Sequence, residues 1–461
     1  MALPIVVHPS EILETIEMIR YLKFDIRAAT LSLSLMDCVD PDPSKMMDKV
    51  ERKLKGVLPK FVSVVDEVVE RYQVPIVNKR LSITPLSVLV EPYASTSLDR
   101  AKEVLLDISL LVDFLARESR VDYVGGLSAY VARGSTPGDR AVLESIAEVV
   151  SSTERVFSSV NAAQSGIGIN VDAVYEVSKQ IKRLSEMTPK GIGCTRVGVF
   201  ANVPEDAPFL PAAHHGQNMP EVALHIAISG PGVLEHAIKA RCQGKNLTEL
   251  LDELKRAVFK ITRAGEFVGR EIAKRMGIRL CTVDLSLAPS PVIGDSVADV
   301  VEAMGLDSFG APGTLTALAL LVEALKRAGS MAATNVGGFS GVMLPGSEDL
   351  GLTEAFKRGS ATIWTLIASC AVCSTGLDMV CIPGDTPVEV IAGLISDVMA
   401  IGVVNGKTLG VRLIPVPGAK PGDEVDFGGL LGRTVVLDVG PFTPKGLVSR
   451  GGEIPHYKQR F

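Results

Sequence analysis

Strand-like and helix-like segments alternate along this chain almost from end to end, with no linker or low-complexity stretch between them. Apolar–polar alternation marks Phe24–Leu35, Val74–Ile83, Val121–Leu127, Glu154–Val160 and Arg196–Ala201 as strands, followed by Val222–Ile228, Arg279–Leu285, Val372–Ile382, Leu409–Val416 and Thr434–Val439. Helical spacing marks Glu11–Leu22, Lys45–Arg71, Leu98–Arg117, Asn246–Met276, Ser296–Met304, Thr314–Ala328 and Pro387–Val403. In Asn246–Met276 the residues Leu250, Leu254, Val258, Ile261 and Phe267 fall near one face. Regular alternation of this kind argues for a mainly parallel sheet covered by helices. With about ten strands, closure into a barrel removes the exposed edges. The expected fold is therefore α/β: a single barrel domain over residues 1–461, with N-terminal helices (about 1–120) packed on its outside.

Composition supports such packing. Hydrophobic residues make up 47% but aromatics only 5%, with a single tryptophan, Trp364, so the core must be aliphatic. The net charge is −6, and Lys and Arg form no blocks, which argues against nucleic acid or an anionic membrane surface as partner. Seven cysteines without framework spacing predict free thiols in a reducing, cytoplasmic compartment. The N-terminus lacks the layout of a signal peptide. Ala361–Ile382 is apolar enough to raise the question of a membrane span. Its Gly376, Asp378 and several hydroxyl residues make it buried core instead.

In parallel α/β folds the site lies at the carboxyl ends of strands. Those positions carry Asp37, then Asn202 with Glu205 and Asp206, then the His214-His215-Gly216 turn. Further along come Gly230-Pro231-Gly232, Asp284 with Ser286, Gly338 with Ser340, and Ser347. Turns are rich in such residues for structural reasons, but here many are expected on one rim. The turns at Gly230–Gly232 and Gly338–Ser340 are candidate anion cradles, because free backbone N–H groups collect there. Neither matches a Walker A or dinucleotide-binding pattern. The histidine pair has the residue types for a general base or a metal site. Adjacent loop histidines usually face different sides, so acid–base work by His214 is favoured and no metal is expected.

Three cysteines fall within twelve residues in Cys370–Cys381, mixed with Asp378 and followed by Asp385. Cys370-x-x-Cys373 has the spacing of a metal half-site or redox pair. No second pair completes a zinc site, and the pair falls between a helix end and a strand, not at a helix start. Inert buried thiols remain an open alternative.

Several consecutive motifs carry a family resemblance. They include Leu31–Cys38, Phe200–Phe209, Ile228–Gly232, Phe259–Glu266, Val283–Pro289, Phe309–Thr314, Cys370–Asp385, Arg412–Gly418 and Phe427–Gly432. Over nearly its whole length the chain resembles the uncharacterised family known as domain of unknown function 711 (uncharacterised protein family 0210). Its members are often labelled pyruvate-formate-lyase-like. The resemblance implies the ten-stranded α/β barrel of glycyl-radical enzymes and ribonucleotide reductases, in which a hairpin finger enters the barrel. By topology it places Cys373–Asp378 nearest the radical cysteine of those relatives. The C-terminal region departs from them: Gly432–Phe442, with proline after Gly440, does not match the radical-glycine context. Radical chemistry is therefore not expected.

Two functional readings follow. In the first, the chain is a non-radical enzyme acting on a small anionic metabolite. Cys373, Asp378, His214 and Glu205 are its catalytic candidates. Asp37, Asn202, Gly230, Gly232, Asp284, Ser286, Gly338, Ser340, Ser347 and Asp385 are its ligand-binding candidates. In the second, it binds a metabolite without turnover, as a regulatory or scaffold protein with a separate small amino-acid-sensing partner. A homodimer is the base-rate expectation for either.

Overall fold

The computed structural model describes residues 16–456. Of the predicted Glu11–Leu22 helix, residues 11–15 lie outside the described residues, and 16–20 are helical. The main sheet has twelve strands. Ten form one continuous row, and nine of those are predicted above. In chain order the strands are β1 (Asp25–Leu33), β2 (Ile76–Ile83), β3 (Tyr123–Tyr130), β4 (Val156–Gln164), the short β5 (Gly168–Asn170), β6 (Val197–Ala201), β7 (Val222–Ser229), β8 (Arg279–Asp284), β9 (Met343–Pro345), β10 (Thr375–Pro383) and β11 (Leu409–Val416), and the twelfth, Glu453–Pro455, pairs with β5. The row runs β8-β7-β1-β2-β3-β4-β6-β11-β10-β9, with β5 off its path. The predicted Thr434–Val439 strand is not in this row. Arg433–Val435 pairs only with Glu424–Asp426, in a separate two-stranded sheet.

Directions divide the row in two. β1, β2, β3, β4 and β6 are mutually parallel. β7 and β8 run parallel to each other, as do β9, β10 and β11. The junctions β1/β7 and β6/β11 are antiparallel. The carboxyl ends of the two groups therefore face opposite ways. The expected barrel is met only in part, because no ladder joins the end strands β8 and β9. Isolated bridges link the chain just beyond β8 to the chain entering β9, through Leu287 N–H to Gly341 O (2.8 Å) and Met343 N–H to Leu287 O (3.0 Å).

Helices cover one face of the sheet. Pro43–Tyr72 starts at Asp42, whose carboxylate accepts from Ser44 N–H, and stops at Gln73 in the left-handed region. Its stripe Met46, Val50, Leu54, Leu58, Phe61, Val65 and Val68 is buried. Leu247–Met276 starts on a capping box of Asn246 and Glu249 and ends at Gly277. Its Leu250, Leu254, Val258 and Ile261 are buried as predicted. Phe267 is not: it is 49% exposed and packs edge-on against Tyr72. Helices at Leu86–Ala94, Pro137–Ser152, Val171–Met187, Leu350–Arg358 and Ile363–Ser369 are absent from the prediction. Val388–Asn405 has the length and apolar composition of a membrane-crossing helix, and it is half buried, packing against Val171–Met187 and β11. The Ala361–Ile382 segment is core, split between Ile363–Ser369 and β10.

The other face of the sheet is polar. Thr30 and Ser32 on β1, Asn78 and Ser82 on β2, Ser128 on β3 and Ser159 on β4 are all buried. The connection from β6 to β7, residues 202–221, lies across this face. Ser32 Oγ bonds His215 Nδ1 (2.9 Å), Thr282 Oγ1 donates to Asp206 (2.6 Å), and Arg80 donates to Pro208 O (3.2 Å). A Cβ at Gly125 would lie 2.2 Å from Ala213 O, so β3 needs glycine there to let the connection pass. The chain segment crossing the strands is thus 202–221. Cys373–Asp378, expected at an inner finger, instead leads into and forms the start of β10.

Candidate functional site

Two cavities flank this connection, at opposite ends of the strands. The first holds about 400 Å³ and is lined by residues from β1–β4 and β7–β11, with Phe209 and Leu210 of the connection. The second holds about 1080 Å³ and opens where β1, β2 and β3 end.

Arginines dominate the first cavity: Arg27, Arg80, Arg196 and Arg412 all reach it. Three are tied to protein groups. Arg412 pairs with Asp378 through Nε and through Nη2 (2.8 Å), with only 6% and 4% of the two side chains exposed. Its guanidinium also lies over the Phe209 ring (5.5 Å). Arg27, on an irregularity of the β1/β7 pairing, donates to Ala288 O (2.7 Å) and to Asp295 (3.3 Å). Arg196 donates to Val150 O (2.7 Å) and Thr153 O (2.8 Å), closing the end of the helix Pro137–Ser152.

Arg80 differs. It forms one hydrogen bond, to Pro208 O, and its Nε is buried without a partner. Among the described residues no carboxylate pairs with it. Burial, against the pull of Tyr123 and Glu348 and with some repulsion from Arg27 and Arg412, pushes its pKa down to about 10, so it stays a cation at neutral pH. Its accessible surface faces the cavity. Glu348 is the nearby acid, 3.6 Å from Arg412 Nη2, with 22% of its side chain exposed. Burial raises its pKa, against the pull of Arg412.

At both turns expected to cradle an anion, a carboxylate of the protein itself takes the backbone N–H groups. Asp284 accepts from Phe339 N–H (2.9 Å), Ser340 N–H (3.1 Å), Ser286 N–H (2.9 Å) and Ser286 Oγ (2.5 Å). It therefore pins the Gly338–Ser340 loop. Burial still raises its pKa. Gly232 N–H is hydrogen-bonded to Asp295, the same carboxylate that meets Arg27. Neither Gly230 nor Gly232 lines either cavity.

The remaining candidates do not converge on one rim. Asp284, Ser286 and Asp378 line the first cavity, whereas Asp37, Glu205 and His214 line the second. Asn202 is structural: it accepts from Ser165 N–H (2.7 Å) and donates to Gly402 O (3.1 Å) and Lys407 O (2.7 Å). Ser347 donates to Leu431 O (2.6 Å). Asp385 is exposed, beyond the end of β10. Cys373 is fully buried and lines neither cavity, and Lys407 Nζ donates to its carbonyl and to that of Cys370. A hydrogen bond with Cys373, together with burial, pushes the Cys370 thiol far above its ordinary range. Sequence reasoning missed Arg27, Arg80 and Glu348. The available signal was an arginine inside two strands whose buried face is otherwise small and polar.

Comparison with known proteins adds the family. The profile described as "Uncharacterised ACR (DUF711)" matches residues 17–433. A UPF0210 protein of Methanosarcina acetivorans is 45% identical over 97% of this chain and 95% of its own length. One from Carboxydothermus hydrogenoformans is 45% identical over 96% and 97%, and one from Methanocaldococcus jannaschii 44% over 97% and 98%. A methanol:cobalamin methyltransferase complex from Methanosarcina barkeri matches at 10% identity over 76% of this chain and 56% of its own, with a TM-score of 0.20, a similarity too low to carry any argument. By profile and by near full-length identity, this chain belongs to the uncharacterised DUF711 (UPF0210) family.

Proposed function

We propose that the arginine-lined cavity binds a small organic anion, a carboxylate or phosphate ester, and that the chain is a non-radical enzyme acting on it. The observation that carries this reading is Arg80. A buried guanidinium with no carboxylate in contact, and only the more distant Glu348 to attract it, is costly, and a bound anion supplies the missing contact charge. Arg27, whose Nε makes no hydrogen bond and lies 3.6 Å from Asp25, would share the load. Glu348 would exchange the proton, since a carboxyl with a raised pKa serves as an acid or base nearer neutrality. The bridges between Leu287 and β9, and a lining drawn from nearly every strand, support a sheet curled into a barrel around the ligand. Seven unpaired thiols support a cytoplasmic setting.

A second reading, binding without turnover, is favoured by one observation: among the described residues no thiol and no imidazole lines this cavity. One experiment separates the two. Thermal-shift titrations with inorganic phosphate, succinate and citrate are followed by mass spectrometry of each stabilising compound. Arg80→Met should abolish the stabilisation, and wild-type stabilisation of that variant would defeat the site. Glu348→Gln should keep binding and lose turnover. A ligand recovered unchanged from the wild-type protein would select the second reading.

A further inference from the structure

The second cavity plays no part in that reading, and its chemistry is the reverse of the first. Five carboxylates line it with one cation, Lys53. Four of the five are committed. Asp37 and Glu221 bracket Lys53 at 2.6 and 2.8 Å. Glu91 accepts from Gly138 N–H (2.7 Å) and Asp139 from Thr136 N–H (3.1 Å), so both serve the start of the helix Pro137–Ser152.

Glu205 is not committed in this way. Its oxygens take only the neutral backbone N–H (3.0 Å) and side-chain amide (3.2 Å) of Asn218. No cation pairs with it among the described residues. It is packed against Gly216, where a Cβ would lie 2.3 Å from the Glu205 Cβ, so glycine is needed there to admit the side chain.

An independent observation comes from His214, which is 3% exposed. Its Nδ1 lies 3.1 Å from Ala212 O. A carbonyl can only accept, so Nδ1 carries the proton and Nε2 presents a lone pair. Nε2 has no partner among the described residues, and the ring lines the cavity. Burial holds the imidazole below its ordinary pKa, which keeps it neutral. The Tyr130 ring meets His214 edge-on, with centroids 4.8 Å apart, and its hydroxyl is likewise without a partner among the described residues.

A lone pair, an uncompensated carboxylate, a phenol oxygen and an aromatic ring all accept N–H donors or positive charge. We propose that this cavity is a binding site for a small organic cation carrying a primary ammonium or guanidinium head. The head lies among Glu205, His214 Nε2 and Tyr130. The volume leaves room for the rest of a metabolite. A bare metal ion suits the site less well, since no cluster of three metal-ligating side chains occurs among the described residues.

The test uses the full chain, with agmatine and putrescine as probes and sodium chloride at matched ionic strength as control. Either amine should raise the melting temperature saturably. Glu205→Gln, nearly isosteric, should weaken that binding at least about ten-fold while leaving the unliganded melting temperature little changed. As a readout independent of stability, the His214 C2 proton resonance should move on titration, assigned by its loss in His214→Asn. Three results would overturn the proposal: no shift of melting or of that resonance at about 10 mM of either amine, unchanged affinity in Glu205→Gln, or stabilisation by magnesium chloride alone.

Discussion

The two cavities share one sheet face and one connection, yet they hold opposite charge. In the first, arginines line the wall and all but Arg80 are committed to protein acceptors. In the second, carboxylates line the wall and all but Glu205 are committed to a lysine or a helix start. The difference teaches that counting charges around a pocket says little. Most are neutralised internally, and the informative residue is the one left over. Each cavity has one such charge, of opposite sign.

Mutation can break that comparison, and the largest effect should come from a committed residue. Asp378→Asn removes the partner of a buried guanidinium, so it should destabilise the fold by about 3–5 kcal/mol in urea unfolding. A loss below about 1 kcal/mol would mean that Arg412 is not dependent on Asp378, and the distinction between committed and leftover arginines would fail.

Acid should act next, on the shared face. His225 on β7 is 1% exposed with both ring nitrogens unpartnered, and burial lowers its pKa from 6.5 to about 4. Its folded value lies below its unfolded one, so its contribution to stability is present above about pH 6.5 and is lost as pH falls toward 4. Between pH 7 and 5 that loss is about 2 kcal/mol. Asp25 and Asp349, both raised to about 6, act in the opposite sense, losing stability as pH rises from 3.8 toward 6. The comparison of wild type with His225→Leu isolates the histidine. The variant should lose less stability than wild type on going from pH 7 to pH 5, and parallel losses would refute the assignment.

Arg80→Met should then stabilise the unliganded protein by about 1 kcal/mol, because deleting a buried charge whose Nε has no acceptor outweighs losing its one hydrogen bond, to Pro208 O. A destabilised variant would show that Arg80 is structural. The smallest effect belongs to Glu205→Gln, within about 1 kcal/mol by thermal melting, since its amide partner can still bond a glutamine. A large loss there would make the acidic cavity part of the scaffold.

Much of the fold was legible because alternation is a local signal. The nine strands found by pattern are long enough to show a period of two. Strand β9 has three residues and shows none. Helix Val171–Met187 buries Val174, Val177, Ile181 and Leu184 at helical spacing, and a fuller scan of that period would have found it. The site was less legible for a different reason. Glycine turns announce a cradle, but not that Asp284 or Asp295 returns from elsewhere to fill it. Equally, strand ends predict one rim only if all strands run the same way. Here the antiparallel junctions at β1/β7 and β6/β11 send the two groups' carboxyl ends apart, so His214 and Asp378 part company.

The connection 202–221 gives that division an evolutionary consequence. It contributes Phe209 and Leu210 to one cavity and Glu205, His214 and His215 to the other. Loops after β1, β2 and β3 can drift in length or composition to suit a new ligand at one mouth without being felt at the other, and those after β8 and β9 enjoy the same freedom in reverse. Residues of the connection have no such licence. Selection on either mouth acts on this one stretch, which makes it the segment where two specificities must change together or not at all.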